Sequence, residues 1–310
     1  MRIRHAFLIV TFSYILISCI VAIILAEFAF HPLRVPVTKE SRARAMAEQL
    51  QITLQDATVV SADGVELKAW FAQPLNANGN AVILLHGVGD NRQGMMGFST
   101  EFLSEGYTVL LPDSRGHGSS GGIPTYGIRE GDDLVLWYNW LRSHCAIKSL
   151  YGMGESMGAA ILLQALDRVP FCAVVAESPF ASFRQIAYIR VGQFLHTGAW
   201  MGKTILRPSI EFAFLYGWLT QGVWLPDASP EDSVARTQVP ILLIHGLADA
   251  SIPVQQSEAI FARRNGPVDL WEVPKAGHCG ASALARGEFD RRVNDWFNRH
   301  GTGCCISSFN

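Results

Sequence analysis

The chain has 310 residues, of which 49% are hydrophobic, and its 25 Lys and Arg against 27 Asp and Glu give a formal net charge of −2. A chain of this length and hydrophobicity can bury a large core. The near balance of charge lacks the positive excess with which proteins neutralise nucleic-acid phosphates, so no nucleic-acid partner is expected.

The first feature along the chain is an apolar run over residues 6–26 that contains no charged residue. Its length matches the roughly 20 residues that a helix needs to cross a bilayer, so the sequence predicts an N-terminal membrane-spanning helix. Two alternatives stay open, namely a cleaved signal peptide and a lipoprotein acylated at Cys19. Glu27 at the minus-three position of a cut after Ala29, and the apolar residues that follow Cys19, favour an uncleaved anchor.

Basic residues flank this run on both sides and bear on its orientation. Arg2 and Arg4 precede it, whereas four further Lys and Arg residues lie within residues 34–44. Because basic flanks stay in the cytoplasm, the two sets indicate opposite orientations. We favour an extracytoplasmic location for the rest of the chain, since a short N-terminal tail with two arginines is typical of a signal sequence.

Beyond the anchor, residues 31–47 read as a charged linker and a first helix, and a hairpin and alternating strands and helices follow. The runs 57–61 and 65–71 on either side of an Asp-Gly turn predict an antiparallel hairpin. The later alternation predicts an α/β fold with parallel strands joined by crossover helices. The predicted strands are 81–85, 107–111, 149–153, 173–176, 240–244 and 268–273, and helices are predicted over 130–142 and 289–299.

The most informative motif is Gly-Glu-Ser-Met-Gly at residues 154–158. It directly follows a predicted strand and opens a helix-like run over residues 159–166. A Gly-x-Ser-x-Gly sequence between a strand and a helix forms a nucleophile elbow, in which small flanking residues allow a turn so sharp that the serine hydroxyl projects above the sheet. The sequence therefore makes Ser156 the candidate nucleophile.

A nucleophilic serine needs a base, a carboxylate that orients this base, and donors for an oxyanion. Asp249 lies just past the predicted strand 240–244, and His278 lies in the loop after the last predicted strand. Upstream, a Gly-rich loop follows another buried strand, and the backbone amides of Val88 and Met157 are the candidate oxyanion donors.

In these motifs and in the chain order Ser, Asp, His, the sequence resembles the α/β-hydrolase superfamily, close to its esterase, lipase and serine-aminopeptidase-like members that carry one N-terminal membrane segment. The resemblance implies a mostly parallel sheet of the eight-stranded type flanked by helices. It also implies a catalytic triad of Ser156, Asp249 and His278. The matching strings are His-Gly at 86–87, Asn-Arg at 91–92, Asp-Ser-Arg-Gly-His-Gly-Ser at 113–119, the motif at 154–158, Ser-Pro-Phe at 178–180, His-Gly-Leu-Ala-Asp at 245–249 and Gly-His at 277–278.

The resemblance divides the chain into an N-terminal anchor and linker over residues 1–36 and a catalytic domain over residues 37–310. A second carboxylate competes with Asp249 for the orienting position, because some families of this fold place it after the sixth strand, where Glu177 stands. Asp249 is favoured, since its loop matches the family string, while Glu177 leads straight into Ser-Pro-Phe and is expected to anchor that loop.

One segment breaks the alternation of strands and helices. About fifty residues rich in aromatic and aliphatic side chains separate the sixth and seventh predicted strands, too many for one crossover helix. They predict a helical lid insertion over residues 181–235. Its aromatic residues fit simple core packing, or an apolar acyl-binding surface near the membrane that would suit a small-molecule or lipid acyl substrate.

The expected activity is hydrolysis of a carboxylic ester, thioester or amide through an acyl-enzyme on Ser156, with an esterase or lipase type favoured. An acyltransferase or a peptidase on the same triad stays open, as does a non-catalytic membrane-anchored binding protein. His117 is expected to shape its Gly-rich loop rather than to catalyse. No P-loop, dinucleotide fingerprint or metal-ligand spacing is found, so no cofactor and no catalytic metal are expected.

Overall fold

A computed structural model of the protein describes residues 2–38 and 40–301. The strands are β1 (Ile52–Val60), β2 (Glu66–Pro74), β3 (Asn80–Leu85), β4 (Thr108–Pro112), β5 (Ser149–Glu155), β6 (Ala173–Glu177), β7 (Ile241–Gly246) and β8 (Val268–Val273). The helices are α1 (Arg2–Phe30), α2 (Glu40–Leu50), α3 (Met96–Ser104), α4 (Glu130–His144), α5 (Met157–Gln164), α6 (Phe183–Phe194), α7 (Ala199–Lys203), α8 (Arg207–Gln221), α9 (Pro230–Val234), α10 (Gln255–Ala262), α11 (Ala281–Leu284) and α12 (Arg286–Gly301).

The strands form one 8-stranded sheet in the order β1-β2-β4-β3-β5-β6-β7-β8. β1 pairs antiparallel with β2, and β2 pairs antiparallel with β4, whereas all later pairs are parallel. The predicted mostly parallel sheet flanked by helices is confirmed. Because β3 and β5 to β8 run in one direction, the loops after their carboxyl ends meet at one edge of the sheet.

The edge strand β1 is longer than the sequence predicted. It begins at Ile52, whose partner is Pro74 at the far end of β2, so the hairpin extends five residues before the predicted start at residue 57. Most of the β1 side chains are exposed or half-buried, including Gln55 and Asp56. An edge strand of this kind carries little apolar alternation, which explains why its first half escaped prediction.

Alternate side chains of the central strands enter two hydrophobic cores on the two faces of the sheet. In β3, Ala81, Ile83 and Leu85 pack on one face, against residues of α4 and α5. Val82 and Leu84 pack on the other face, against residues of α3 and α12. Both faces are thus covered by helices, and the buried apolar runs of the parallel strands follow from this arrangement.

The segment between β6 and β7 folds into the helices α6, α7, α8 and α9, as the sequence predicted for the insertion. Together with the turns between these helices, it is called the lid below. Its aromatic side chains form a third hydrophobic core, which includes Phe180, Phe183 and Phe214. Packing of the rings against one another accounts for these three residues, in agreement with the simpler interpretation of the aromatic segment.

The third core also contains part of α1. Ala22, Ala26 and Phe30 are buried in it, and the Tyr126 hydroxyl donates a hydrogen bond of 2.7 Å to the Ala29 carbonyl. Residues 3–30 are long and apolar enough to cross a membrane, and an 18-residue window within them has a mean hydropathy of 2.8. The helix α1 therefore shares a hydrophobic core with the lid, so residues on both sides of the predicted division at residue 36 pack together.

Candidate active site

The turn between β5 and α5 holds Ser156 in a backbone conformation that few non-glycine residues adopt, with φ 52° and ψ −112°. The turn is possible because its neighbours are glycines. A Cβ atom on Gly158 would lie 2.3 Å from the Leu85 carbonyl oxygen, and one on Gly154 would lie 2.6 Å from the Gly158 carbonyl carbon. The Ser156 amide donates to the Glu177 carbonyl over 2.8 Å, which ties the turn to β6.

The structure brings together Ser156, Asp249 and His278, the three residues named as a candidate triad from the sequence. Nδ1 of His278 lies 2.7 Å from Oδ2 of Asp249, and its Nε2 lies 2.9 Å from Oγ of Ser156. An ionised carboxylate can only accept a hydrogen bond, so the His278 proton belongs on Nδ1 and leaves Nε2 free to accept from the Ser156 hydroxyl. The three side chains form one hydrogen-bonded chain at the carboxyl edge of the sheet.

The carboxyl group of Asp249 is fully enclosed and saturated with donors. Its Oδ1 accepts from the amides of Ser251 and Ile252, each over 2.8 Å, and Nε2 of His245 lies 3.4 Å from its Oδ2. Burial alone raises the pKa of this carboxyl, but the hydrogen bonds from His245, His278 and the Ile252 amide outweigh it and hold the pKa well below its usual range. Asp249 is therefore an ionised acceptor for the His278 ring.

Glu177, the alternative carboxylate, has a different partner. It is completely buried at the end of β6, and its Oε1 accepts a hydrogen bond of 2.9 Å from the Ala281 amide at the start of α11. Its Oε2 has no hydrogen-bond partner in the described part of the chain. Burial is the main cause that raises the pKa of Glu177 to about 7. Glu177 thus holds the segment just after His278, whereas the two ring nitrogens of His278 have Asp249 and Ser156 as their hydrogen-bond partners. We expected the Glu177 side chain to anchor the Ser-Pro-Phe loop, but its hydrogen bond goes to the Ala281 amide instead.

A second, half-buried acid directly precedes Ser156 in the chain. Glu155 is the register partner of Glu177 across the parallel β5 and β6 strands, so the two carboxyl groups are neighbours. Burial, followed by the charges of Glu177 and Asp90, raises the pKa of Glu155 to about 8. This pair could not be predicted from the sequence, because the pairing of the two acids depends on strand register, which the motif at residues 154–158 does not reveal.

The raised pKa of Glu155 predicts a pH-dependent stability. The folded protein holds this proton more tightly than the unfolded chain, so the contribution of neutral Glu155 is fully present below about pH 4.5 and is lost as the pH rises through about 8. Glu155→Gln stays neutral and is expected to melt at a higher temperature than the parent at pH 9 but not at pH 5. Thermal melting of both proteins and of Glu48→Gln, a control at an exposed position on α2, checks this. Parallel pH profiles for all three would contradict it.

The predicted oxyanion donors flank Ser156 in the structure. Gly87 lies so close that a Cβ atom on it would stand 3.4 Å from the Ser156 Cβ, and Val88 follows it directly. Met157 begins α5, and the first amides of a helix have no partner within the helix. Among the described residues, neither the Val88 amide nor the Met157 amide has a protein acceptor. Both are thus available to a negatively charged oxygen at Ser156.

Buried histidines shape the loops around this position. Nδ1 of His86 lies 2.8 Å from the Gly87 carbonyl oxygen, and its Nε2 accepts from the Ser114 amide over 3.1 Å. Complete burial lowers the pKa of His86 to about 4, so the ring is neutral. His117 lies against His86, with ring centroids 5.3 Å apart, and its Nδ1 contacts the Arg115 carbonyl. His117 therefore belongs to the loop structure, in line with the prediction from the sequence. Within the described ranges, no group of three or more His, Cys, Asp or Glu side chains is arranged to hold a metal ion.

Comparison with known proteins agrees with this geometry. The family model described as the alpha/beta hydrolase family matches residues 82–289. The chain belongs to the alpha/beta hydrolase family. Among curated relatives, the uncharacterized protein YqkD of Bacillus subtilis (strain 168) is 29% identical to this hydrolase over 248 residues, which cover 77% of this chain and 78% of the relative.

Two further proteins that are similar to this alpha/beta hydrolase have names that state an activity. The lysophosphatidylserine lipase ABHD12 of Danio rerio is 25% identical over 204 residues, which cover 62% of this chain and 49% of that protein. The solved structure of the Pyrococcus furiosus esterase Pf2001 is similar with a TM-score of 0.69 and 26% identity, and the match covers 87% of this chain and 97% of that one. The family and its esterase neighbours support a hydrolase activity.

Proposed function

We propose that this alpha/beta hydrolase is a serine hydrolase that cleaves a carboxylic ester through an acyl-enzyme on Ser156. The observation that carries the proposal is the hydrogen-bonded chain from Asp249 through His278 to Ser156, with distances of 2.7 and 2.9 Å. This is the arrangement in which an imidazole removes the proton of an attacking serine while a carboxylate holds its tautomer. The neighbouring amides of Val88 and Met157 complete the set of groups that acyl transfer needs.

The first half of the reaction acylates the enzyme. Oγ of Ser156 forms a bond to the substrate carbonyl carbon while Nε2 of His278 accepts the hydroxyl proton. The carbonyl electron pair moves to the oxygen, where the Val88 and Met157 amides stabilise the negative charge. When this pair returns, the bond to the leaving alcohol breaks and His278 donates its proton to the alcohol oxygen.

The second half releases the acid. Water gives a proton to Nε2 of His278 and attacks the acyl carbon, and the second oxyanion is held by the same two amides. Its collapse breaks the bond to Oγ of Ser156, which recovers its proton from His278. In both halves, the ionised Asp249 stabilises the transient positive charge on the imidazole, and its contacts with the Ser251 and Ile252 amides and with His245 hold the carboxylate in place.

An ester is favoured over a thioester or an amide because the similar proteins with named activities are an esterase and a lysophosphatidylserine lipase. The apolar core of the lid next to the site suits an acyl chain. Acyl transfer to an alcohol or amine uses the same triad, with that acceptor in place of water. Peptidase activity differs only in the leaving group.

We further propose that α1 is retained as a single-pass anchor, with the catalytic domain on the extracytoplasmic side. Ala22, Ala26 and Phe30 are buried against the lid, so removal of α1 as a signal peptide would uncover an apolar surface. The packing thus supports an anchor rather than a leader that is cut away.

The test combines a covalent probe with a set of substrates. The full chain in detergent is treated with a fluorophosphonate, and the modified peptide is identified by mass spectrometry. It is then assayed on p-nitrophenyl esters of increasing acyl length and on a matched thioester and anilide. We expect labelling at Ser156 and faster turnover of esters than of the anilide. Absence of labelling, or product formation only when an acceptor alcohol is added, would contradict hydrolysis.

A further inference from the structure

The helix α1 has two halves with different surroundings. Side chains of residues 3–17 are exposed, whereas from Ser18 onward every fourth residue, namely Ala22, Ala26 and Phe30 as well, is buried. At 1.5 Å per residue, the exposed half is about 22 Å long, shorter than the ~30 Å hydrocarbon core of a bilayer. If α1 crosses a membrane, part of its second half, which begins at Ser18 and packs beside the lid, must therefore also lie within that membrane.

Contacts between α1 and the lid show which part of the lid lies beside the membrane-spanning segment. The Tyr14 hydroxyl donates to the Ile205 carbonyl over 2.5 Å, and the Tyr216 hydroxyl lies 3.1 Å from Oε1 of Glu27. Near the end of α1, the Phe30 ring leaves no room for a side chain at Gly217. The helix α8 thus runs beside α1 in the same direction, and the turn before α8 lies near the middle of α1.

The free surface of this part of the lid is apolar. Of the thirteen exposed large apolar side chains that the described residues carry outside α1, seven lie between residues 194 and 219. The remaining six are scattered over the rest of the chain. The seven are Phe194, Leu195, Trp200, Ile205, Leu215, Trp218 and Leu219, and they are called the lid patch below.

We propose that the lid patch inserts into the phospholipid bilayer that α1 crosses, so that α1 and the lid form one membrane-embedded unit. Four of its seven residues lie on α8 or in the turn before it, beside the exposed apolar helix α1, and its two tryptophans are residues that favour the boundary between acyl chains and headgroups. Lys203 and Arg207 are exposed beside the patch, and their long aliphatic stems allow the charged groups to reach lipid phosphates.

This insertion goes beyond the proposed hydrolysis and does not depend on it. Together with that function, it identifies the substrate class as acyl esters dissolved in the bilayer, because the lid patch is apolar and so is the third hydrophobic core, which includes Ala160 one turn after Ser156. An acyl chain then reaches the site without passing through water. This second statement rests on the proposed function, whereas the insertion itself is tested without catalysis.

Tryptophan fluorescence tests the insertion in the full chain. Trp200 and Trp218 are 57% and 53% exposed, while the other six tryptophans are buried or half-buried. The protein is placed in nanodiscs of phosphatidylcholine and phosphatidylglycerol with plain or brominated acyl chains. We expect brominated lipid to quench the parent protein, and the double variant Trp200→Phe, Trp218→Phe to lose most of that quenching. The control Trp271→Phe, a residue of β8 under the Arg292 guanidinium, should keep it. Equal quenching of parent and double variant, or none in the parent, overturns the insertion.

A charge placed on the lid patch tests the link to substrate. Leu219→Glu is expected to lower hydrolysis of a bilayer-held ester by about fivefold or more, because a carboxylate resists burial among lipids, and to leave a short soluble ester within about twofold. Leu75→Glu, at an exposed position beyond the end of β2, is the matched control and should change neither. If quenching is seen but Leu219→Glu affects both esters alike, the statement on substrate class is wrong. If neither ester is hydrolysed by the parent, the proposed function fails while the quenching result still stands.

Discussion

Replacing Ser156 with alanine is expected to lower kcat for ester hydrolysis by about a millionfold and to abolish covalent labelling by a fluorophosphonate. The reason is that no other group in the site can form the acyl bond, so only substrate binding and the oxyanion donors remain to act. The melting temperature should change little, because the loss of one hydroxyl leaves the φ 52° turn and its hydrogen bond from the Ser156 amide to Glu177 in place.

The control for this variant is Ser143→Ala, which removes an exposed hydroxyl near the end of α4, before the start of β5, whereas Ser156 follows the other end of that strand. It should keep full activity and full labelling. Retained labelling in Ser156→Ala, with the probe attached to another serine, would move the nucleophile and with it the whole proposed mechanism.

The second large effect is expected from Asp249→Asn, which should lower kcat by about ten-thousandfold. Oδ2 of Asp249 faces Nδ1 of His278 at 2.7 Å and also Nε2 of His245 at 3.4 Å. An amide nitrogen in this place would meet two ring nitrogens that donate, and an amide oxygen would no longer stabilise an imidazolium. The first orientation forces His278 into the tautomer that cannot accept the Ser156 proton, and the second weakens the imidazolium, so the chemical step is affected more than KM.

Glu177→Gln is the matched comparison, because it changes the other carboxyl at the same edge of the sheet. Burial already favours the neutral form of Glu177, and an amide oxygen can still accept from the Ala281 amide. Its kcat should therefore fall by no more than about tenfold. Both variants are measured on one ester, with folding checked by thermal melting. The reverse order of the two effects would assign the orienting role to Glu177.

The central sheet could be predicted from the sequence because its strands are buried on both faces. A strand such as β3 reads as a continuous apolar run, and the helices between such runs give the parallel arrangement. The edge strand β1 has no such run, since most of its side chains face solvent. Its first half is fixed instead by its pairing with β2, from Ile52 opposite Pro74 onward, which local apolar pattern does not encode.

The same distinction applies to the site. Ser156, Asp249 and His278 could be proposed because each follows a recognisable strand and the chain order is typical of one fold. The Glu155 and Glu177 pair, and the contact of His245 with Asp249, depend on which residues of neighbouring strands and loops lie side by side. These relations exist only after the sheet has formed, so no single motif along the chain contains them.

The buried stripe Ser18, Ala22, Ala26 and Phe30 has a consequence for how this protein can be engineered. Many membrane anchors act as tethers, and a different hydrophobic helix can replace them. Here, small side chains let α1 approach α8 closely, and Phe30 fills the space above Gly217. A replacement helix of equal hydrophobicity but with bulky residues in place of Ser18, Ala22 and Ala26 would still be apolar enough to cross a membrane and yet leave the lid wrongly packed. The proposed anchor α1 is thus specific to the domain it packs against and is not an exchangeable module.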